Sequence, residues 1–198
     1  MTLLDLIQTL AAMAKNHRKR VLSLAELSRL STQSPAALAM TLLRAQKKHI
    51  VGHVGNLWVN LMDRPSLEEV AFALDSPSYI SFESALYHRG VLSQSPRGAL
   101  TVATRGRPRL VTTPVGTIRF IHLKQGLFFG YDKARLALAE KAWLDLIYLR
   151  RRMREGFPEK LYVETLNHRR LNELAREFPR TVQGMIKTTE SDPSGGLP

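Results

Sequence analysis

Residues 1–62 hold two short helical patterns joined by a tight turn, which run directly into a basic hairpin signal containing a glycine. Few folds accommodate that order. Ser23-Leu24-Ala25-Glu26 has the spacing of a capping box, with the Ser23 hydroxyl and the Glu26 carboxylate each able to satisfy the other residue's amide. A helix is therefore expected over about residues 24–30. After the turn Ser31-Thr32-Gln33, Ser34 followed by Pro35 reads as an N-cap with proline at the first helical position, where its missing N–H costs nothing. The next helix is expected to run on to about residue 48. Residues 50–53 and 57–61 have strand composition, and Gly55-Asn56 between them is a two-residue hairpin turn signal.

Helix phase divides the second of these helices into two faces. Leu38, Leu42 and Ala45 fall at i, i+4 and i+7 and are expected to face a core. Ala36, Ala37, Met40, Arg44 and Lys47 then lie on the opposite side, small at the start and basic at the end. That arrangement is expected of a winged helix-turn-helix. Small residues let the start of a recognition helix sink towards base edges, while Arg44, Lys47 and Lys48 suit flanking phosphates. Gln33 and Ser34 in the turn, and His53 and Asn56 in the hairpin read as the wing, complete the expected DNA contacts in residues 1–62. The competing reading is a purely structural three-helix unit whose basic face is solvated surface.

Charge favours a polyanionic partner. Among 198 residues, Lys+Arg number 29 against 17 Asp+Glu, a net charge of +12. Nucleic acid is the natural candidate. An anionic membrane would also attract such a chain, but no stretch approaches the roughly 18 apolar residues of a spanning helix. Residues 1–14 lack a basic n-region and carry Asp5, so they do not read as a signal peptide. The absence of cysteine excludes disulfides, thiolate zinc sites and cysteine nucleophiles and fits a cytoplasmic protein.

A domain boundary is expected near Met62-Asp63-Arg64-Pro65, dividing the chain into residues 1–62, a second domain over 63–187 and an unstructured tail over 188–198. Ser66 with Glu69 caps a helix over about 67–74, and 79–90 reads as one helix closed by Gly90. Residues 100–104 and 117–123 read as strands of a small antiparallel sheet. The strongest helical pattern spans 137–154, with Ala142, Leu146 and Leu149 on one stripe and Arg150, Arg151, Arg152 and Arg154 at its C-terminal end. That cluster is either a favourably charged helix terminus or a contact for an acidic partner through Arg150, Arg151 and Arg152. A further helix is expected over 164–177, with Leu166, Leu171 and Leu174 apolar. The expected fold class is α+β, an N-terminal winged helix-turn-helix followed by a mixed helical domain with a small antiparallel sheet.

Four segments together carry a family resemblance: Tyr79-Ile80-Ser81-Phe82-Glu83-Ser84-Ala85-Leu86-Tyr87-His88-Arg89-Gly90, Val102-Ala103-Thr104, Gly116-Thr117-Ile118-Arg119-Phe120 and Ala139-Glu140-Lys141-Ala142-Trp143-Leu144-Asp145-Leu146. With them the chain resembles the AbiEi family of antitoxins over roughly residues 3–182. The resemblance implies a bacterial type IV toxin-antitoxin or phage abortive-infection system. It implies an N-terminal winged helix that represses its own operon by binding double-stranded DNA at repeated sites in its promoter. A C-terminal domain would counteract a nucleotidyltransferase-like toxin encoded next door.

Thr104-Arg105-Gly106-Arg107-Pro108-Arg109 contains Arg-Gly-Arg-Pro, the core of an AT-hook, in which two arginines enter a narrow A·T minor groove. Arg105, Arg107 and Arg109 are thus further expected DNA contacts, by minor-groove insertion, by phosphate contact, or not at all if they line a solvated hairpin loop. Catalysis is not expected, and neither is a cofactor. The six histidines show no metal-ligand spacing, and no phosphate loop, nucleophile elbow or paired-carboxylate motif is present. Glu140-Lys141 superficially resembles the acidic–basic pairs of nucleases, but adjacent helical residues point about 100° apart. Glu140 and Asp145 are expected in structural ion pairs or hydrogen bonds. Two function classes follow: a DNA-binding autorepressor and antitoxin, or a non-enzymatic interaction module whose basic surface meets an acidic protein.

Overall fold

The computed structural model describes residues 1–96, 98–153, 156–158 and 161–191. They form a mixed α+β fold in two compact units, one made of Met1–Ser76 and Leu110–Ile118, the other of Pro77–Arg109 and the chain from Arg119 on.

The first unit opens with α1, Leu3–His17, whose start is fixed by a capping box between Thr2 and Asp5. Then come β1 (Val21–Ser23), α2 (Leu24–Arg29), α3 (Pro35–Lys47), β2 (Val51–Val54), β3 (Leu57–Asn60) and α4 (Leu67–Leu74). The three strands form an antiparallel sheet in the order β1-β3-β2. Leu6, Leu10, Leu22, Leu27, Leu38, Leu42, Ala45, Val51 and Trp58 close one core between helices and sheet. Each buried leucine or valine among them contributes about 1.5–3 kcal/mol.

Local signals explain most of these boundaries. Ser23 and Glu26 make the reciprocal capping bonds, Ser34 accepts from the Ala37 amide with Pro35 at the first helical position, and Gly55 turns the β2–β3 hairpin at φ +59°. Strand β1 is an addition to the expected elements. At three residues it is too short to register as a strand pattern.

Glu26 does more than cap. The Lys19 ammonium and the Ser23 amide hold its carboxyl well below the usual range, at about 2. A carboxyl lowered in the folded state adds stability above its ordinary pKa, and loses it as pH falls through the folded value. Glu26→Gln is therefore expected to cost on the order of 1 kcal/mol at pH 7. In acid denaturation the gap from the native protein closes between about pH 4.5 and about pH 2. A constant gap would remove the ion pair from the explanation.

The boundary expected at residue 62 moves to residue 76. Arg20 explains the shift, because it pairs with Asp63 at 3.0 Å and with Glu69 of α4 at 3.1 Å. Val70 and Ala71 of α4 are also fully buried.

The second unit contains β4 (Ser78–Ile80), α5 (Phe82–His88), β5 (Leu100–Thr104), α6 (Ala139–Met153), a 3-10 turn at Val163–Thr165, α7 (His168–Ala175) and α8 (Arg180–Ser191). The β6–β7 hairpin (Arg109–Thr113 and Gly116–His122) completes a four-stranded sheet in the order β4-β5-β7-β6, and its tip, Leu110–Ile118, belongs to the first unit. The single helix expected over 79–90 is instead a strand followed by a helix. Tyr79 and Ile80 pair antiparallel with Ala103 and Val102, and Ile80 also exchanges backbone bonds with Arg135 and Ala137. Gly90 has the expected left-handed φ of +75°.

Helix α6 differs from the expected one-sided stripe, since every residue from Glu140 to Tyr148 is buried. It is a central helix, and its buried carboxylates are bonded within the fold, except that the second Glu140 oxygen makes no hydrogen bond and only approaches Arg170 at 3.7 Å. Glu140 accepts from the Asn167 amide at 3.0 Å, and Asp145 accepts from Ser81 Oγ at 2.7 Å and Tyr79 Oη at 3.0 Å. The helix expected over 164–177 starts only at His168, because Asn167 caps it by accepting from the Arg170 amide. Residues 188–191, assigned to an unstructured tail, continue α8. Arg154 and residues 192–198 lie outside the described residues. No helix among the described residues is long and apolar enough to cross a membrane.

Candidate nucleic-acid interface

The candidate interface in the first unit is the outer face of α3. Its inner face is fixed by the fully buried Leu38, Leu42 and Ala45. The Thr41 hydroxyl, within reach of the Ala37 and Met1 carbonyls at 3.1 and 3.3 Å, sets the helix against the start of α1. With the helix phase locked this way, Ala36, Met40, Arg44, Lys47 and Lys48 are exposed and Ala37 is half-buried. Gln33 is exposed in the turn before the helix, and Ser34 spends its hydroxyl on the N-cap. None of Arg44, Lys47 and Lys48 pairs with a carboxylate among the described residues, so their charge is directed to solvent.

Leu43 also lies on this face and is 48% exposed. It escaped the sequence reading because a leucine in a helix is counted as core by default. The signal was available, because positions 36, 40, 43 and 47 follow the i, i+4, i+7, i+11 spacing of one helical stripe.

The hairpin residues divide. Asn56 is exposed at the β2–β3 turn. His53 is exposed too, but its ring lies over its cross-strand partner Trp58, with centroids 4.6 Å apart. Trp58 itself is buried, so His53 lids the core as well as facing outward.

The Arg-Gly-Arg-Pro segment lies in the second unit, as the turn between β5 and β6, and it is tied down. Gly106 donates to Thr104 Oγ1 at 2.8 Å, and its carbonyl accepts from His122 Nδ1 at 3.0 Å. Arg105 reaches Gln125 at 3.1 Å. The guanidinium of Arg109, already in β6, stacks over Phe120 at 4.2 Å and donates to the Arg107 carbonyl at 3.2 Å. Arg107 is exposed. Bends at Arg105 and Gly106 and these contacts close the segment into a turn, and the three arginines do not form one free fork.

The C-terminal arginines of α6 divide as well. Arg150 is half-buried in an ion pair with Glu83 at 2.5 Å, which removes it from the expected partner contact. Arg151 and Arg152 are exposed, the first within 3.4 Å of the Thr181 carbonyl and the second 5.9 Å from the Tyr148 ring centre.

No group of three or more potential metal ligands occurs among the described residues. No protein-family model matches the chain, and no curated protein matches it either. Among solved structures, it is similar to the crystal structure of the Rv2827c protein from Mycobacterium tuberculosis. The two share 16% identity with a TM-score of 0.58, over 88% of this chain and 72% of that chain. At that identity the likeness is one of fold.

Proposed function

We propose that the chain is a DNA-binding antitoxin that represses its own operon, with residues 1–62 acting as a winged helix-turn-helix. The observation that carries the DNA half is the outer face of α3. It is small at its start, carries unpaired cations at its end, and is held in phase by a buried opposite face. Helix, strand, helix, helix and hairpin follow in the order expected of a winged helix-turn-helix, which supports reading α3 as a recognition helix and the β2–β3 hairpin as a wing. The net charge of +12 supplies the long-range attraction to phosphate. The antitoxin half rests on the resemblance to the AbiEi family, in which a second domain opposes a nucleotidyltransferase-like toxin. Non-catalytic roles for Glu140 and Asp145 fit it, since both serve hydrogen bonds in the packed interior.

The test is fluorescence anisotropy with DNA upstream of the chain's own gene and with a shuffled duplex, across a salt series. Preference for the promoter should persist as salt rises, whereas equal binding that collapses with salt would reduce the charge to non-specific attraction. Arg44→Ala with Lys47→Ala should weaken binding on the order of tenfold and lower the salt slope by about 1 per lost phosphate contact. Unchanged binding would sink the assignment of α3. Co-expression with the neighbouring nucleotidyltransferase-like protein tests the antitoxin half through rescue of growth.

A further inference from the structure

The outer face of α3 has an apolar centre that phosphate attraction does not use. Met40 is 52% exposed and Leu43 is 48% exposed, side by side between Ala36 one turn before and Lys47 one turn after. Single exposed apolar side chains are ordinary on a protein surface. An adjoining pair in the middle of a cationic helix face calls for a partner that is anionic overall and apolar at one point. A second copy of the same face would set Arg44, Lys47 and Lys48 against their own like charges. The DNA major groove has both properties, since the thymine C5-methyl is the apolar group on its base edges.

The hydrogen-bonding residues on the helix point the same way. Before Arg44 the outer face of α3 bears no Arg, Lys, Asn or Gln, the side chains that pair with guanine or adenine edges. Gln33 precedes the helix, and Gln46 lies one turn after Leu43, on the order of 60° round the helix from it. Donor–acceptor side chains thus begin only at Arg44, towards the end of the face, while close approach at its start is favoured by Ala36 and Ala37.

We propose that Met40 and Leu43 are the specificity-determining residues of the operator contact and read thymine methyl groups in the major groove, while Arg44, Lys47 and Lys48 hold the flanking phosphates. This rests on the DNA-binding reading above. The experiment separates the two. The full chain is used to enrich duplexes from a randomised pool, and the most enriched duplex is rebuilt with each thymine in turn replaced by deoxyuridine, which removes the methyl and leaves the pairing edge intact. At one or more adjoining positions the replacement should weaken binding about fourfold, the worth of one buried methyl-sized group. That sensitivity should vanish in Met40→Ala or Leu43→Ala, whose surface positions in a helix tolerate alanine. Lys47→Ala should instead weaken the thymine and deoxyuridine duplexes equally. Enriched duplexes that lack thymine, indifference to deoxyuridine, or alanine variants that still discriminate like the native chain would overturn the proposal and leave DNA binding standing. Failure to enrich any sequence would overturn DNA recognition and the proposal with it.

Discussion

Asp145→Ala is expected to destabilise the second unit by about 3–5 kcal/mol, because it leaves the Lys141 ammonium buried without its counter-charge. Both side chains are 0% exposed, one helical turn apart on α6 and in direct contact. Burial pushes the Asp145 carboxyl up and the Lys141 ammonium down, and the charge of each opposes the effect on the other. Lys141 also donates to Tyr79 Oη at 2.9 Å and lies about 5 Å from the ring centres of Phe129 and Phe178. Its stem is closely packed on the Gly130 side, where an added Cβ would stand 2.9 Å from the Lys141 Cγ. Replacing both partners, as Lys141→Met with Asp145→Leu, should cost less than Asp145→Ala alone. The Tyr79 and Ser81 hydroxyls would still lose their acceptor, so some loss remains. Trp143 reports on this unit, and denaturant unfolding in a Trp58→Phe background isolates its signal. A double variant weaker than the single would refute the buried-charge account.

Gly52→Ala should cost the first unit about 3 kcal/mol, at the upper end of overpacking effects. A Cβ at this position in β2 would stand 2.2 Å from the Pro114 Cγ and 2.6 Å from its Cβ. A proline ring is bonded at both ends to backbone and cannot swing aside as a long side chain would. The glycine is required here for close approach, since its φ is not among the left-handed ones. Trp58 fluorescence in a Trp143→Phe background follows this unfolding, and Pro114→Gly in the same chain should recover part of the loss. If Pro114→Gly leaves the defect untouched, the contact is not its cause.

The sequence was most legible where local chemistry decides the outcome. The boxes at Ser23/Glu26 and Ser66/Glu69, proline after Ser34, and Gly55-Asn56 at a hairpin each carry their own physical cause within four residues, and each stands where expected. Errors arose where distant residues decide. Tyr79 and Ile80 carry helix-compatible neighbours, yet pairing with residues some 20 positions on makes them a strand. The β6 strand Arg109–Thr113 is an addition to the expected strands, although three of its five residues are β-branched. Helix α8 is polar, and its signal reduces to Val182 and Ile186 buried four apart after Pro179. At the candidate interface, phase gave the exposed face correctly, whereas composition hid Leu43. Motif matching overrated Arg109, whose guanidinium is engaged by Phe120.

The first unit draws on two separate stretches of chain, Met1–Ser76 and Leu110–Ile118. On a ribosome that builds from the N-terminus, the partners of Gly52 and Leu67, which are Pro114 and Gly116, arrive dozens of residues after the rest of the unit they complete. At cellular rates of synthesis the interval lasts seconds, long on the timescale of helix and hairpin formation. The N-terminal unit of the nascent chain therefore waits with its β2 and α4 surfaces uncovered, and a protein cut after residue 76 would be held permanently in that state.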